Sequence, residues 1–191
     1  MSDEQLSTRN DQLCIEIFQR GIAINNYNFL HFGPKLFHWA ILLRPKPDVH
    51  LDKSLAIDVD NGPWTTSDGT REPNETKIWN FRTRRPVDPL KSKSFHAAVA
   101  IGKLPPGTGE DDVVEILRHI PLPRPGNFDD SNCHTWLMLA IEKLQAEKVV
   151  SKACSAGEII EMVTREGLRL QSDEAERNAQ QRFLIHPKLY S

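Results

Sequence analysis

FHWAILL, residues 37–43, is apolar on both sides of its alternation except for one histidine, His38. A strand apolar on both faces belongs in the middle of a sheet, covered above and below. Pro45 and Pro47 close it, because proline cannot donate to a ladder. An imidazole in such a strand needs a polar partner, which makes His38 the first candidate functional residue. Residues 13–18 (LCIEIF) and 54–59 (SLAIDV) read as strands of the same kind. Asp58 is as out of place in SLAIDV as His38 is in FHWAILL. Residues 77–83 (KIWNFRT) alternate, with Trp79 and Phe81 on one side, and residues 95–104 (FHAAVAIGKL) supply a fifth strand. Gly-, Asn- and Pro-containing loops cover 21–34 and 63–75.

Helical patterns follow the strands. Thr108 with Asp111 marks a helix start, and Pro121 bounds its end. From about Asn132 to Lys148, residues Trp136, Leu137, Ala140, Ile141 and Leu144 recur at helical spacing and define one buried face. A third helix covers 157–170. Strands first and helices after indicate an α+β domain with a mainly antiparallel sheet packed on helices. The expected organisation is a disordered segment over 1–10, one domain over 11–170, and a charged tail over 171–191 able to form a helix.

The chain has 191 residues, which suits one domain with its own core. Lys and Arg number 24 against 26 Asp and Glu, so no global field draws it to nucleic acid or an anionic membrane. Its longest apolar runs, 39–43 and 136–141, fall far short of the roughly 20 residues that span a bilayer. The polar N-terminus (MSDEQLSTRNDQ) has no secretory core segment. Three cysteines, an odd and sparse set, fit a reducing cytoplasmic compartment better than a disulfide framework.

Cys133 stands at the first turn of the main helix. Unpaired N–H groups there favour the thiolate, which is the nucleophilic form. His38 is the candidate base, and Asp58 the group that orients the imidazole and stabilises its cation. Thiol-dependent acyl chemistry follows from this combination. The developing oxyanion would meet the Cys133 backbone N–H and one further donor, Asn132 or His134. Trp39 and Trp136 are core aromatics by pattern, and both are also candidates for the acyl pocket.

The same blocks carry a resemblance. Residues 11–19 (DQLCIEIFQ) look like the opening strand of the lecithin:retinol acyltransferase-like family, which includes the H-Ras-like suppressor enzymes. FHWAILL resembles that family's HWALYVG, LAIDV its VIHL segment, and SNCHTWL its NCEHFV. The resemblance implies a circularly permuted NlpC-type, papain-like fold, with His38 as base and Cys133 as nucleophile. The order of histidine before cysteine agrees with the permutation. Asp58 stands where the family has a second histidine, and His134-Thr135 replaces Glu-His. The chain is also similar to fungal proteins with HWALLV and NCxxW segments.

An ester, thioester or amide is the expected substrate, with lipid ester placed first by resemblance alone. Rival readings are a tailoring enzyme of small-molecule biosynthesis using the same dyad, and a binding or scaffold protein that has lost turnover. No cofactor is expected. A zinc site from His31, His38, His96, Cys133 and His134 lacks any local ligand spacing. Cys14 and Cys154 read as packing or surface thiols, and His96 as a core residue. His31, His50, His119 and His186 read as loop or solvated residues. Arg82, Arg84, Arg85, Lys91 and Lys93 read as a solvated strand edge, with phosphate or headgroup contact the lesser alternative. Gly107-Thr108-Gly109 lacks the lysine of a nucleotide loop.

Overall fold

A computed structural model describes residues 11–20, 33–45, 53–65, 70–126, 132–172 and 183–185. The expected disordered segment 1–10, nearly all of the 21–34 loop, and most of the tail lie outside these residues. Eight strands are present among them: β1 (Gln12–Gln19), β2 (Phe37–Arg44), β3 (Ser54–Asp60), β4 (Trp64–Thr65), β5 (Arg71–Glu72), β6 (Asn80–Val87), β7 (Phe95–Lys103) and β8 (Phe183–Ile185). The helices are α1 (Glu110–Arg118), α2 (Cys133–Ala146) and α3 (Ala156–Ser172). The fold is α+β.

Six strands form one sheet in the order β6-β3-β2-β1-β7-β8, and β4 with β5 makes a separate small hairpin. FHWAILL occupies β2 and sits between β1 and β3, as a doubly apolar strand should. Neighbouring strands are antiparallel except β8, which adds to β7 in parallel through Ala98↔Phe183 and Ala100↔Ile185. The tail therefore contains a strand that the charged composition of 171–181 conceals.

Two expected boundaries shift. The fourth strand begins at Asn80 rather than Lys77, because a turn precedes it in which Lys77 takes φ of 52°. Asn74 builds that turn. Its amide donates to the carbonyls of Asn61 and Ile78, and its oxygen accepts the Ile78 N–H. The strand then runs past Thr83 through Pro86, which an edge strand tolerates. The first helix starts one residue later than expected. Gly109 is its N-cap, and the Asp112 carboxylate accepts the Gly109 N–H at 2.7 Å.

Strand alternation sorts the sheet into two layers. Leu13, Ile15, Ile17, Trp39, Ile41, Leu55, Ile57 and Val59 pack with Trp136, Leu137, Ile141 and Val163 of the helices. Burying each such side chain stabilises the fold by about 1.5–3 kcal/mol. The other face carries Cys14, Phe18, Ala40, Leu42, Ala56, Ala98 and Ala100 as its apolar set. The helix α3 comes very close to the sheet at Gly167, where an added Cβ would stand 2.4 Å from Ile17 Cδ1. That approach lets the Gly167 carbonyl accept from His96 Nε2 at 2.6 Å.

Candidate functional site

The site grows from a split in the sheet. β2 pairs with β3 only through Ile41↔Ile57, Leu42↔Ala56 and Leu43↔Leu55. Before Ile41, the two strands part, while β2 stays paired to β1 as far as Gln19↔Phe37. The backbone N–H of Trp39 lies in this unpaired stretch and donates to the Cys133 sulfur. Cys133 is the first residue of α2, and its N-cap explains why the helix begins there. Asn132 Oδ1 accepts from the backbone N–H of His134 at 2.9 Å and of Thr135 at 3.3 Å. In return, Thr135 Oγ1 accepts the Asn132 N–H at 2.8 Å, a reciprocal cap.

His38 and Asp58 share one face of the sheet and are diagonal neighbours across the split. His38 Nε2 lies 2.8 Å from Asp58 Oδ2. The imidazole is also hydrogen-bonded to the Cys133 side chain. The structure thus joins all three expected residues, from helix α2 and strands β2 and β3, into one chain of hydrogen bonds.

Arginines hold this chain from behind. Arg82 is directly opposite Asp58 in the β3–β6 register. It donates from Nε to Asp58 Oδ1 at 3.0 Å and from Nη2 to Oδ2 at 2.7 Å, a bidentate fork, and from Nη1 to Asp60 at 2.7 Å. Arg84 adds a longer bond to Asp58 at 3.2 Å. Arg20, just past the end of β1, points Nη2 at the Cys133 sulfur from 2.8 Å.

These neighbours set the charges. Burial opposes the Cys133 thiolate, yet the His38 hydrogen bond, the charges of His38 and Arg20, and the Trp39 N–H outweigh it and hold the pKa below that of a free thiol. Burial also opposes the His38 cation, but Asp58 and Cys133 raise its pKa to about 9. Asp58 is buried as well, and its bonds to His38 and Arg82 keep it ionised far below the usual carboxylate range. The Cys133 and His38 shifts both favour a thiolate beside an imidazolium. Burial instead pushes the Cys14 pKa up to about 12, which disfavours its thiolate.

Beside the triad lies an open pocket of about 260 Å³, lined by Phe18, Gln19, His38, Asp58, Arg82, Arg84, Ser92 and Ser94. Neither tryptophan candidate lines it. Trp39 and Trp136 are buried in the helix-side layer, where Trp39 Nε1 donates to the Pro34 carbonyl and Trp136 packs edge-on against Phe81. Trp39 and Trp136 as walls of this pocket are therefore corrected: both side chains lie in the core. Asn132 is committed through Oδ1 to capping the helix. His134 tilts against Trp39, and burial and the Lys35 charge hold its pKa below the ordinary imidazole value. His96 is a core residue, as expected, and its Nδ1 accepts from Gln19 at 3.3 Å. His119 is exposed and bonded to Glu115. His31, His50 and His186 lie outside the described residues. Among the described residues, no group of three or more His, Cys, Asp or Glu could hold a metal ion.

Arg82 and Arg84 correct the reading of 82–93 as a merely solvated edge. Strand β6 is an edge, but these two side chains turn onto Asp58. The alternation of Phe81 with Arg82 was the available signal, and the register that brings Arg82 to Asp58 was not. Glu16 was also missed, although a carboxyl inside LCIEIF is as anomalous as Asp58 in SLAIDV. It is buried on the His38 face, neither oxygen has a hydrogen-bond partner among the described residues, and burial raises its pKa to about 8.

No helix among the described residues is long and apolar enough to cross a membrane. No curated protein and no solved structure matches the chain. A family model described as "Family of unknown function (DUF6914)" matches residues 10–188, nearly the whole chain, so the protein belongs to the DUF6914 family.

Proposed function

We propose that this protein is a cysteine-nucleophile acyl hydrolase or acyltransferase of a permuted papain-like type. The observation that carries the reading is the hydrogen-bonded chain Cys133–His38–Asp58, with Arg82 forked onto the carboxylate. A merely structural cysteine does not need a helix start, an imidazole, a guanidinium and a backbone N–H all directed at its sulfur. The order of His38 before Cys133 supports the permuted arrangement and the likeness to the lecithin:retinol acyltransferase-like family.

In the proposed reaction, the Cys133 thiolate attacks the carbonyl carbon of an ester, thioester or amide, and the carbonyl π electrons move onto oxygen. The tetrahedral intermediate collapses as the leaving group takes the proton of the His38 imidazolium, giving a thioester on Cys133. Neutral His38 then removes a proton from water or an acceptor, which attacks the thioester. The thiolate departs and the imidazolium is restored. Asp58 stays ionised throughout and holds the ring. The Cys133 N–H at the start of α2, the Arg20 guanidinium and the Trp39 N–H are candidate donors for the oxyanion. The three free cysteines favour a cytoplasmic setting.

The rival is a binding or scaffold protein of the same fold. One observation favours it: Cys133 is only 1% exposed, with Arg20 on its sulfur. Thiol chemistry separates the two. Iodoacetamide should alkylate Cys133 well below pH 8, and His38→Ala should suppress that labelling. Modification confined to Cys14 and Cys154 would sink the enzyme reading. Mass-spectrometric capture of an acyl adduct on Cys133 would then identify the substrate class.

A further inference from the structure

We propose that the pocket on the His38 face is an anion subsite, in which Arg84, with Ser92 and Ser94, holds a carboxylate or phosphate group of a small, water-soluble acyl substrate. The inference rests on the catalytic reading above and names its substrate class. Of the lining residues only Phe18 is apolar; the rest are Gln19, His38, Asp58, Arg82, Arg84, Ser92 and Ser94. A fatty acyl chain gains about 0.8 kcal/mol per methylene only against apolar walls, and among the lining side chains Phe18 alone is apolar. Its volume of about 260 Å³ is also below that of most drug-sized ligand sites.

The donors are unequal. Each Arg82 nitrogen is engaged, by Asp58 or Asp60. Arg84 makes a single bond among the described residues, the 3.2 Å contact to Asp58, and its side chain is 42% exposed. A guanidinium has five N–H donors in a planar fork suited to carboxylate or phosphate. Glu16 is the other buried carboxyl that feels the charge of Arg84, and its burial keeps it neutral up to about pH 8, so it leaves that charge available. Ser92 and Ser94 bond to each other at 3.1 Å, and one hydroxyl of the pair keeps a proton to donate. His38 lines the same pocket, which ties an anion held there to the reacting end of the site.

The test compares N-iodoacetyl-γ-aminobutyrate with its neutral primary amide as alkylating agents for Cys133 at pH 7. Each reagent forms a sulfur–carbon bond and releases iodide, and they differ only in the remote charge. The expected result is saturable labelling by the anion, about tenfold or more faster than by the amide. Arg84→Gln should bring the ratio close to one, and Arg84→Lys should leave it in between. Succinate and inorganic phosphate should each slow the anionic reagent, and the more potent competitor identifies carboxylate or phosphate as the natural group. Equal rates in the wild type, or a ratio unchanged by Arg84→Gln, would overturn the subsite while leaving the catalytic reading standing. Turnover of dispersed diacyl phospholipid that neither competitor slows would overturn it too. Where iodoacetamide itself fails to label Cys133, the catalytic reading falls instead. Calorimetric binding of succinate or phosphate to Cys133→Ala, with and without Arg84→Gln, then decides the subsite alone.

Discussion

Ile57 and Asp58 are consecutive residues of β3, and their side chains leave opposite faces of the same strand. Ile57 enters the layer of apolar side chains under the helices. Asp58, equally buried, meets His38, Arg82 and Arg84. The backbone is the same, yet one face holds the fold by shape and the other holds ionised groups in mutual register. Errors on the first face should be pH-independent losses of stability. Errors on the second should move with pH and with the reactivity of a single thiol.

Ile57→Ala breaks the apolar side and carries the largest expected effect. Deleting a fully buried isoleucine costs about 2–5 kcal/mol through lost transfer energy and the cavity left behind. Urea unfolding should show that loss unchanged from pH 5 to pH 8, and iodoacetamide should still find Cys133 reactive below pH 8. A pH-dependent loss would mean that the two faces are not separable.

Asp58→Asn breaks the charged side. Removing one member of a buried ion pair costs about 3 kcal/mol or more; here Arg82 keeps Asp60, which sets the loss near the low end. The sign follows from the shifts. Asp58 is held below its ordinary pKa, so its stabilisation is present above about pH 4 and is lost as pH falls through that range. His38 is raised to about 9, so its share is present below its ordinary value of 6.5 and is lost as pH rises through about 9. The gap between wild type and Asp58→Asn should therefore be widest between about pH 4 and 6.5, and narrow toward acid and toward pH 9. The His38 pKa, followed by NMR, should drop at the same time. An unchanged His38 pKa would contradict the role given to Asp58.

Glu16→Gln sharpens the contrast by improving the fold. The raised pKa means that folded Glu16 keeps its proton while the unfolded chain releases it between pH 4.5 and about 8. Stability is lost across that window at roughly 1.4 kcal/mol per pH unit, a ceiling of about 3 kcal/mol at pH 7. Glutamine never ionises, so the variant should match wild type at pH 4 and melt higher at pH 7. Equal melting temperatures at both would show that the carboxyl is ionised and paired.

Much of this was legible because strand alternation is local. FHWAILL announces a central strand and exposes His38 as its anomaly, SLAIDV does the same for Asp58, and the cap at Asn132 puts Cys133 on the first turn of α2. What escaped depends on register. Arg82 reaches Asp58 only because β6 starts at Asn80, after the turn built by Asn74, and no pattern within 77–83 fixes that pairing. A shift of one residue would turn Arg82 to the apolar face. Strand β8 is three residues added in parallel to an edge, too short for alternation to mark it. Arg20 reaches Cys133 across 113 positions of sequence, a closeness that only the closed fold creates.

Asn132→Ala tests the seam between the faces, with the smallest expected effect. The asparagine caps α2 through two backbone N–H groups and holds the first turn where Cys133 meets His38. Losing an N-cap costs about 1 kcal/mol, which denaturant unfolding resolves. A loss of that size with unchanged thiol reactivity would confine Asn132 to the helix. The arrangement leads to a different expectation. The sulfur is held by His38, Arg20 and the Trp39 N–H, so a frayed first turn loosens all of those contacts together. The pH at which iodoacetamide labelling of Cys133 reaches half its maximum should therefore rise toward that of a free thiol. Asn132→Ser, which keeps a capping oxygen without adding charge, should restore it.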